Sequence, residues 1–518
     1  MKKRNLSTVV IYSVSGLLIT LGFLALFSAI WFVNNFNAVV DIDAIIFTMF
    51  SDMHGVNTNI VDQYLYTAAL PTVLCAAACI TGIILVPKLI FKYKKSEKKP
   101  VSRIYKTVTL SSTIFFCLTI FGICLYHLGF LEYISARTDT TPLFDEQYKN
   151  PKTVTVTFPE EKRNLIYIYL ESMENTFMDT ENGGALEKNT LPALTELAKS
   201  NVNFSQTHGI GGAKVTTGST WTTAAGITQT SGVPMCLPED IWISGLGEQH
   251  QALPGLTSLG DILHDQGYQQ ALMIGSDISF AGQEMYYKQH KINRIYDVKT
   301  AREELLPSKT YDDGFWGCED FYLYEYAKEK ILDLAEGDQP FAFTMFTIDT
   351  HHPAGNLCEK CDPTELTELD WTEAENLQFE TVLRCADRQI NEFILWLQEQ
   401  DFYENTTVII TGDHCSMNTS YFNEYVSDEY DRRVYNCFIN PATTPKQAKN
   451  REFTTLDMFP TTLAALGCTI EGDQLGLGVN LFSGKPTLSE IYGFEYLRIE
   501  FNKVSLFYEE NFYKKQQQ

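Results

Sequence analysis

The chain is short of positive charge. Its 40 lysines and arginines face 64 aspartates and glutamates, a formal net charge of −24 over 518 residues, with an isoelectric point near 4.8. Binding a nucleic acid through its phosphates needs a basic face, so this balance excludes nucleic acid as a partner. Internal repeats are missing, and the one low-complexity stretch is a polar Lys-Lys-Gln-Gln-Gln tail, which argues against a repeat architecture. Beyond about residue 135 there is no long apolar run. No second CxxC follows Cys358-x-x-Cys361 at ribbon spacing, and no thioredoxin-like context surrounds it. A local disulfide drawn from Cys358, Cys361 and Cys385 is expected in an exported domain, with free thiols as the alternative. Cys75, Cys79, Cys117 and Cys124 lie in apolar runs and read as small buried residues.

The apolar residues are concentrated at the start. Val9 to Val33 is long enough to cross a hydrocarbon core of roughly 30 Å as a helix, and runs from Tyr66 to Phe91 and from Val108 to Leu131 repeat the pattern. The first has no small-residue cleavage signal and reads as a retained anchor. Lys2, Lys3 and Arg4 precede it, and Lys88, Lys92, Lys94, Lys95, Lys98, Lys99, Arg103 and Lys106 crowd the link between the second and third runs. The positive-inside rule makes both segments cytoplasmic, so three spans put the rest of the chain outside a cell membrane, extracellular or periplasmic. Ala44–Phe50 is apolar but too short to span, as expected of an interfacial segment. The expected organisation is a membrane part over 1–135, a juxtamembrane connector over 136–162 and an external domain over 163–518.

In that domain, apolar and β-branched runs end repeatedly in acidic or imidazole side chains. Asn164–Leu170 ends at Glu171, Gln270–Gly275 leads to Asp277, Phe341–Ile348 ends at Asp349 with His351 and His352, and Thr406–Gly412 ends at Asp413-His414. Helical spacing over Asn189–Lys199, Asp320–Leu334 and Asp387–Gln398 alternates with these strands, the pattern of a doubly wound α/β sheet. Ligands of such sheets bind at the carboxyl ends of the strands. A buried cluster of carboxylates repels itself, and a cation is the natural compensation. Oxygen and imidazole donors without thiolates suit Mn²⁺, Zn²⁺ or Mg²⁺. Between the first two strands, Gly218-Ser-Thr220-Trp-Thr-Thr-Ala-Ala places hydroxyls before a helix start. There backbone N–H groups favour a phosphate, although a plain threonine N-cap has the same appearance. With Thr220 as a further ligand, one metal would lower the hydroxyl's pKa for attack on phosphorus or sulfur.

Taken together, Tyr167-Ile-Tyr-Leu-Glu-Ser-Met-Glu-Asn175, Gly218-Ser-Thr-Trp-Thr222 with Gln229-Thr-Ser-Gly-Val-Pro234, Asp349-Thr-His-His-Pro353, Thr411-Gly-Asp-His414 and Asp457-Met-Phe-Pro-Thr-Thr462 resemble the lipoteichoic acid synthase and membrane phosphoglycerol transferase group. That group lies within the sulfatase and alkaline phosphatase superfamily. The resemblance covers nearly the whole external domain. It implies an alkaline phosphatase/sulfatase-like sheet and one divalent metal, Mn²⁺ first and Zn²⁺ or Mg²⁺ as alternatives. Glu171, Asp413, His414 and Thr220 would be its ligands, Thr220 the nucleophile, and His351 and His352 the substrate contacts. Aligning on the Trp or on the later Gly-x-Pro moves the nucleophile to Ser219 or Thr222. The group also holds substrate with a Trp and an Arg after the next strand. Here Ser279-Phe-Ala-Gly-Gln283 stands without an Arg, which leaves the head group or acceptor open.

The activity implied is ping-pong transfer of glycerol phosphate. It would pass from a phosphatidylglycerol-type donor through a phospho-threonine ester to a glycolipid, polymer or glucan hydroxyl. Phosphoethanolamine transfer and phosphoester hydrolysis are the rivals within the superfamily, and a non-catalytic membrane sensor or scaffold is the rival outside it. Sulfate chemistry is disfavoured, because the Cys/Ser-x-Pro-x-Arg context that matures to formylglycine is absent around Thr220.

Overall fold

A computed structural model describes residues 2–36, 42–50, 58–93, 98–237, 253–304, 316–358, 360–361 and 371–513. The turn expected over Asp312–Gly317 lies mostly outside them, as does the polar tail. The chain divides into two compact units: Met1–Phe36 with Asn57–Ser135, and Asn37–Val56 with Ala136–Gln518.

In the first unit, α1 (Lys2–Asn35), α3 (Leu70–Tyr93) and α4 (Lys98–His127) carry three candidate membrane spans, Val9–Asn35, Val61–Val86 and Ile104–His127. Their mean hydropathies are 2.3, 2.3 and 2.1, yet few of these residues are buried. Leu17, Leu21, Val73, Leu74, Phe115 and Leu118 all point away from the protein. Apolar helices that leave such side chains uncovered need a lipid solvent, so this unit is a membrane part. Small residues let the helices approach closely: Gly22 faces Phe116, and Gly16 faces Ile80. Pro71 has no N–H to donate, and it follows a π-helical turn at Leu65–Ala69.

The second unit is built on a six-stranded sheet. Its strands are β1 (Asn164–Leu170), β2 (Gln269–Ile274), β3 (Arg294–Tyr296), β4 (Phe341–Phe346), β5 (Thr406–Gly412) and β6 (Asn436–Ile439). They lie in the order β3-β2-β4-β1-β5-β6, parallel except for the antiparallel edge β6. β1 and β5 are buried along their whole length, as central parallel strands covered on both faces must be. Alternation along β1 assigns the faces. Ile166 and Ile168 enter a core shared with Leu194 of α5 (Pro192–Ser200), Ile331 of α7 (Asp320–Ala335) and Phe393 of α8 (Trp371–Gln398). Tyr167 turns to the other face, where its hydroxyl donates to Gln229 on α6 (Thr222–Ser231). Tyr169 stacks on Phe346 at 4.1 Å.

Beyond the sheet come α9 (Leu488–Tyr492) and α10 (Phe494–Phe501), followed by a short helix at Leu506–Tyr508 and a π-helical turn at Glu509–Tyr513. The apolar segment between the first two spans forms α2 (Ile42–Phe50), which belongs to this second unit.

Candidate metal and nucleophile site

Adjacent parallel strands β1 and β5 stop together, with Leu170 opposite Gly412 in the register. The next residue of each, Glu171 and Asp413, therefore arrives at the same point of the sheet edge. Gly412 is required there, since a Cβ would lie 2.0 Å from the carbonyl oxygen of Met173. Ser172 takes a positive φ of 53°, and this turn is clasped by Asp413. One carboxylate oxygen, Asp413 Oδ1, accepts from the backbone N–H of Ser172 (2.8 Å) and of His414 (2.7 Å). The Ser172 hydroxyl donates to Glu171 Oε1, and Thr347 and Thr350 hold the Glu171 backbone from the end of β4.

Glu171, Asp413 and His414 are all buried, and one donor atom from each lies within 4.8 Å of the others. His414 Nδ1 faces the carbonyl of Cys415 at 3.0 Å, which assigns the proton to Nδ1 and leaves Nε2 as a lone pair. Nε2 sits 3.5 Å from Glu171 Oε1 and 3.4 Å from Asp413 Oδ2. Asp413 Oδ2 accepts no hydrogen bond among the described residues although it is fully buried. Burial and the charge of Glu171 push the Asp413 carboxyl up to about 7. Burial alone would lower His414, but the Asp413 and Glu171 carboxylates outweigh it and hold the ring above its ordinary value.

The hydroxyl that the fold brings to these donors belongs to Thr222. Its Oγ1 lies 3.2 Å from Glu171 Oε2 and 3.4 Å from His414 Nε2. Thr222 is the first residue of α6. Trp221 before it is extended (φ −141°, ψ 159°) and offers no side-chain cap, so the first N–H groups of the helix have none from that position. Thr222 is partly exposed. Thr220, the expected nucleophile, is buried, and its Oγ1 reaches none of the three donors. Ser219 is turned inward onto Thr216.

The donor set fits a divalent ion. Donors about 2.1 Å from a tetrahedral centre are separated by about 3.4 Å. The separations above, 3.2 Å from Thr222 Oγ1 to Glu171 Oε2, 3.4 Å from His414 Nε2 to Thr222 Oγ1 and to Asp413 Oδ2, and 3.5 Å from His414 Nε2 to the other Glu171 oxygen, are of that size. The bare Asp413 Oδ2 and the lone pair on His414 Nε2 are atoms such an ion would take as ligands.

Two other strand ends do not join the cluster. Asp277 pairs with Lys299 at 2.8 Å and with Ser279. Asp349 is locked to Asp320 at the start of α7. The Asp320 N–H donates to Asp349 Oδ2, while the N–H groups of Ile348 and Asp349 donate to the Asp320 carboxylate. This latch carries the β4 loop into place. On that loop the His351 and His352 rings stack at 4.6 Å, and Trp316 meets His351 edge-on at 5.1 Å. Burial pushes His351 down to about 4, with its hydrogen bond to the His352 carbonyl opposing. Farther along, Cys361 and Cys385 form a disulfide that ties the loop to α8, with Cys358 Sγ 3.5 Å from Cys361 Sγ.

A sulfatase family model matches residues 163–468, more than half of the chain and every element that builds the site. The chain belongs to the sulfatase family. Among curated relatives, phosphoglycerol transferase I of Salmonella choleraesuis (strain SC-B67) is 29% identical over 362 residues, which are 69% of this chain and 43% of the relative. The protein of the same name from Escherichia fergusonii is 29% identical over 366 residues, 70% of this chain and 44% of the relative. The chain thus spans less than half the length of these relatives. Among solved structures, the integral membrane protein lipooligosaccharide phosphoethanolamine transferase A of Neisseria meningitidis superposes with a TM-score of 0.51 at 14% identity. That match covers 88% of this chain and 84% of the other. The lipoteichoic acid synthase LtaP of Listeria monocytogenes gives a TM-score of 0.48 at 20% identity, covering 64% and 79%. The alkaline phosphatase/sulfatase-like α/β fold, preceded by apolar membrane helices, is the architecture of this sulfatase-family chain. Members of the superfamily are metal-dependent, in keeping with the donor set.

Proposed function

We propose that this protein is a membrane-anchored phosphoglycerol transferase. It would move glycerol phosphate from a phosphatidylglycerol-type lipid through an ester on Thr222 to the hydroxyl of a glycolipid, polymer or glucan. The observation that carries this reading is the Thr222 hydroxyl, held at the first turn of α6 against Glu171 and His414. The names of the curated relatives support the reaction class, and the membrane part supports a lipid donor.

Glu171, Asp413, His414 and Thr222 would hold one divalent cation, Mn²⁺, Zn²⁺ or Mg²⁺. When bound, that ion would make the threonine hydroxyl more acidic and offset charge on the phosphoryl oxygens. The protein's own groups do the rest. Glu171 Oε2 receives the Thr222 hydroxyl hydrogen bond and orients an oxygen lone pair toward the open face. The first-turn N–H groups of α6, which take no side-chain cap from Trp221, would face the phosphate. His351 and His352, stacked and largely neutral, contact the phosphate or glycerol. In the first step the Thr222 Oγ–P bond forms and the bond from phosphorus to the diacylglycerol oxygen breaks, and the proton lost by Thr222 ends on that oxygen. In the second step an acceptor hydroxyl displaces Thr222 in the same sense. The expected topology has a cytoplasmic N-terminus, a membrane part over 1–135, a connector over 136–162 and the domain from 163 outside, where the outer leaflet supplies the donor.

The test is lipid cleavage by the full-length protein with Mn²⁺. Wild type should release diacylglycerol from fluorescent phosphatidylglycerol, and Thr222→Ala should not. Equal release by both would remove Thr222 from the mechanism. Cleavage of phosphatidylethanolamine in place of phosphatidylglycerol would change the head group to phosphoethanolamine.

A further inference from the structure

Residues 488–513 lie beyond the family match and carry an uncovered apolar stripe. On α9 and α10, Ile491 (55% exposed), Tyr492, Tyr496 and Ile499 (47%) point outward, and Leu506 (62%), which opens the following short helix, is also uncovered. The inward positions Leu497 and Phe501 are buried, so the outward set is a second apolar face and not a misplaced core. Tyr492 and Tyr496 stack at 5.4 Å. The charges beside them are paired within the same segment, Arg498 with Glu495 and Lys503 with Glu500.

We infer that this stripe rests in the interfacial region of a phospholipid bilayer. Two segments of the second unit that adjoin the apolar helices in sequence, α2 and the connector after α4, meet the part that holds it. Val504 is hydrogen-bonded to the backbone of Asp139 and Thr141, twelve to fourteen residues past the end of α4 at His127. Asp43, on α2 between the first two spans, takes a two-pronged hydrogen bond from Arg137, and Arg137 also donates to the carbonyl of Leu237. Arg137, Leu237, Lys503, Ser505 and Tyr508 line one shared pocket. Within the second unit, α2 and the connector after α4 are therefore both fastened to the segment that carries the stripe. An apolar patch with stacked tyrosines and self-paired charges suits the zone between head groups and acyl chains.

The placement also reaches the candidate nucleophile loop. Tyr508 donates to the carbonyl of Pro234 and accepts from the N–H of Cys236, and the N–H of Met235 donates to Gly218, four residues before Thr222. A docked stripe would hold this loop at a set height over the lipid surface.

The inference rests on the membrane part and not on the transfer reaction, so its test needs no turnover. The full chain is placed in nanodiscs of phosphatidylglycerol and phosphatidylethanolamine, with p-benzoylphenylalanine installed at Tyr496, at Ile499 or, as a control, at Leu395, which is equally exposed on α8 (52%). Irradiation and mass spectrometry should find lipid adducts at Tyr496 and Ile499 at least tenfold above Leu395. Equal yields at all three positions, or crosslinks from Tyr496 and Ile499 to a second copy of the chain in place of lipid, would overturn it. Lipid adducts in a protein that releases no diacylglycerol would refute the transfer reading and leave the docking intact.

Discussion

Thr222 Oγ1 lies 3.2 Å from Glu171 Oε2, joining the first residue of α6 to the first residue after β1. The contact crosses 51 positions of sequence and unites a helix start with a strand end. Either end alone is commonplace. Together with the bare Asp413 Oδ2 and the lone pair on His414 Nε2, they make a set whose atoms suit a divalent cation.

Metal binding should therefore be measurable as stability. A ligand that binds only the folded chain at a hundred times its Kd stabilises by about 2.7 kcal/mol. Chelation followed by Mn²⁺ addition should raise the Tm of the wild type, and Asp413→Asn or His414→Gln should remove most of that rise. An unchanged Mn²⁺ response in both variants would mean that the ion binds elsewhere.

Gly412 is the position where β5 hands Asp413 to the site. A methyl group there meets the Met173 carbonyl at 2.0 Å, and that oxygen is backbone and cannot swing aside. Gly412→Ala should destabilise the domain by about 1–3 kcal/mol and weaken metal binding as Asp413 shifts. Calorimetry with and without Mn²⁺ reads both effects, and a variant as stable as wild type would contradict the close approach.

Asp387 on α8 caps α5 from outside, accepting from the N–H groups of Ala193 (2.9 Å) and Leu194 (2.8 Å), where Leu191 provides no cap. Losing both acceptors in Asp387→Ala should cost about 1–3 kcal/mol. Burial raises this carboxyl to about 6, against an ordinary value of 3.8, with the two N–H bonds opposing. The folded chain then holds a proton that the unfolded chain has lost. The contribution is full below pH 3.8 and fades as pH rises through about 6. Denaturant titrations from pH 4 to 7 should show wild type losing stability with rising pH relative to Asp387→Asn, and parallel profiles would refute it.

The Cys361–Cys385 disulfide closes a separation of 24 residues, which predicts about 3 kcal/mol of stabilisation. Non-reducing peptide mapping should recover this pair with Cys358 as a thiol. Cys385→Ser should lower Tm, and recovery of three free thiols from membranes prepared under alkylation would argue against export of the domain.

The strands that build the site were legible because β1 and β5 are central and buried on both faces. A continuous run such as Val408-Ile409-Ile410 has few other uses, and it ends where the carboxylate does. Edge strands β3 and β6 were not, being three and four residues long and held largely by partners far away in sequence, such as Asn436 on Phe204. The strand-end rule also gathered too much: Asp277 and Asp349 end strands but are consumed by Lys299 and Asp320, which periodicity does not reveal. Which hydroxyl of this stretch meets Glu171 and His414 turned on whether Trp221 lies inside α6 or before it. Its extended backbone answers that, and no propensity around Gly218-Ser-Thr-Trp-Thr222 would have done so.

The most direct test of the central claim is where the covalent intermediate forms. The full-length protein, loaded with Mn²⁺ and given phosphatidylglycerol without an acceptor, is quenched in acid, digested and sequenced by mass spectrometry. The account predicts a glycerol-phosphate ester on Thr222, still formed in Thr220→Ala and absent from Thr222→Ala. An ester on Thr220 or Ser219, or one that survives Thr222→Ala, would contradict it.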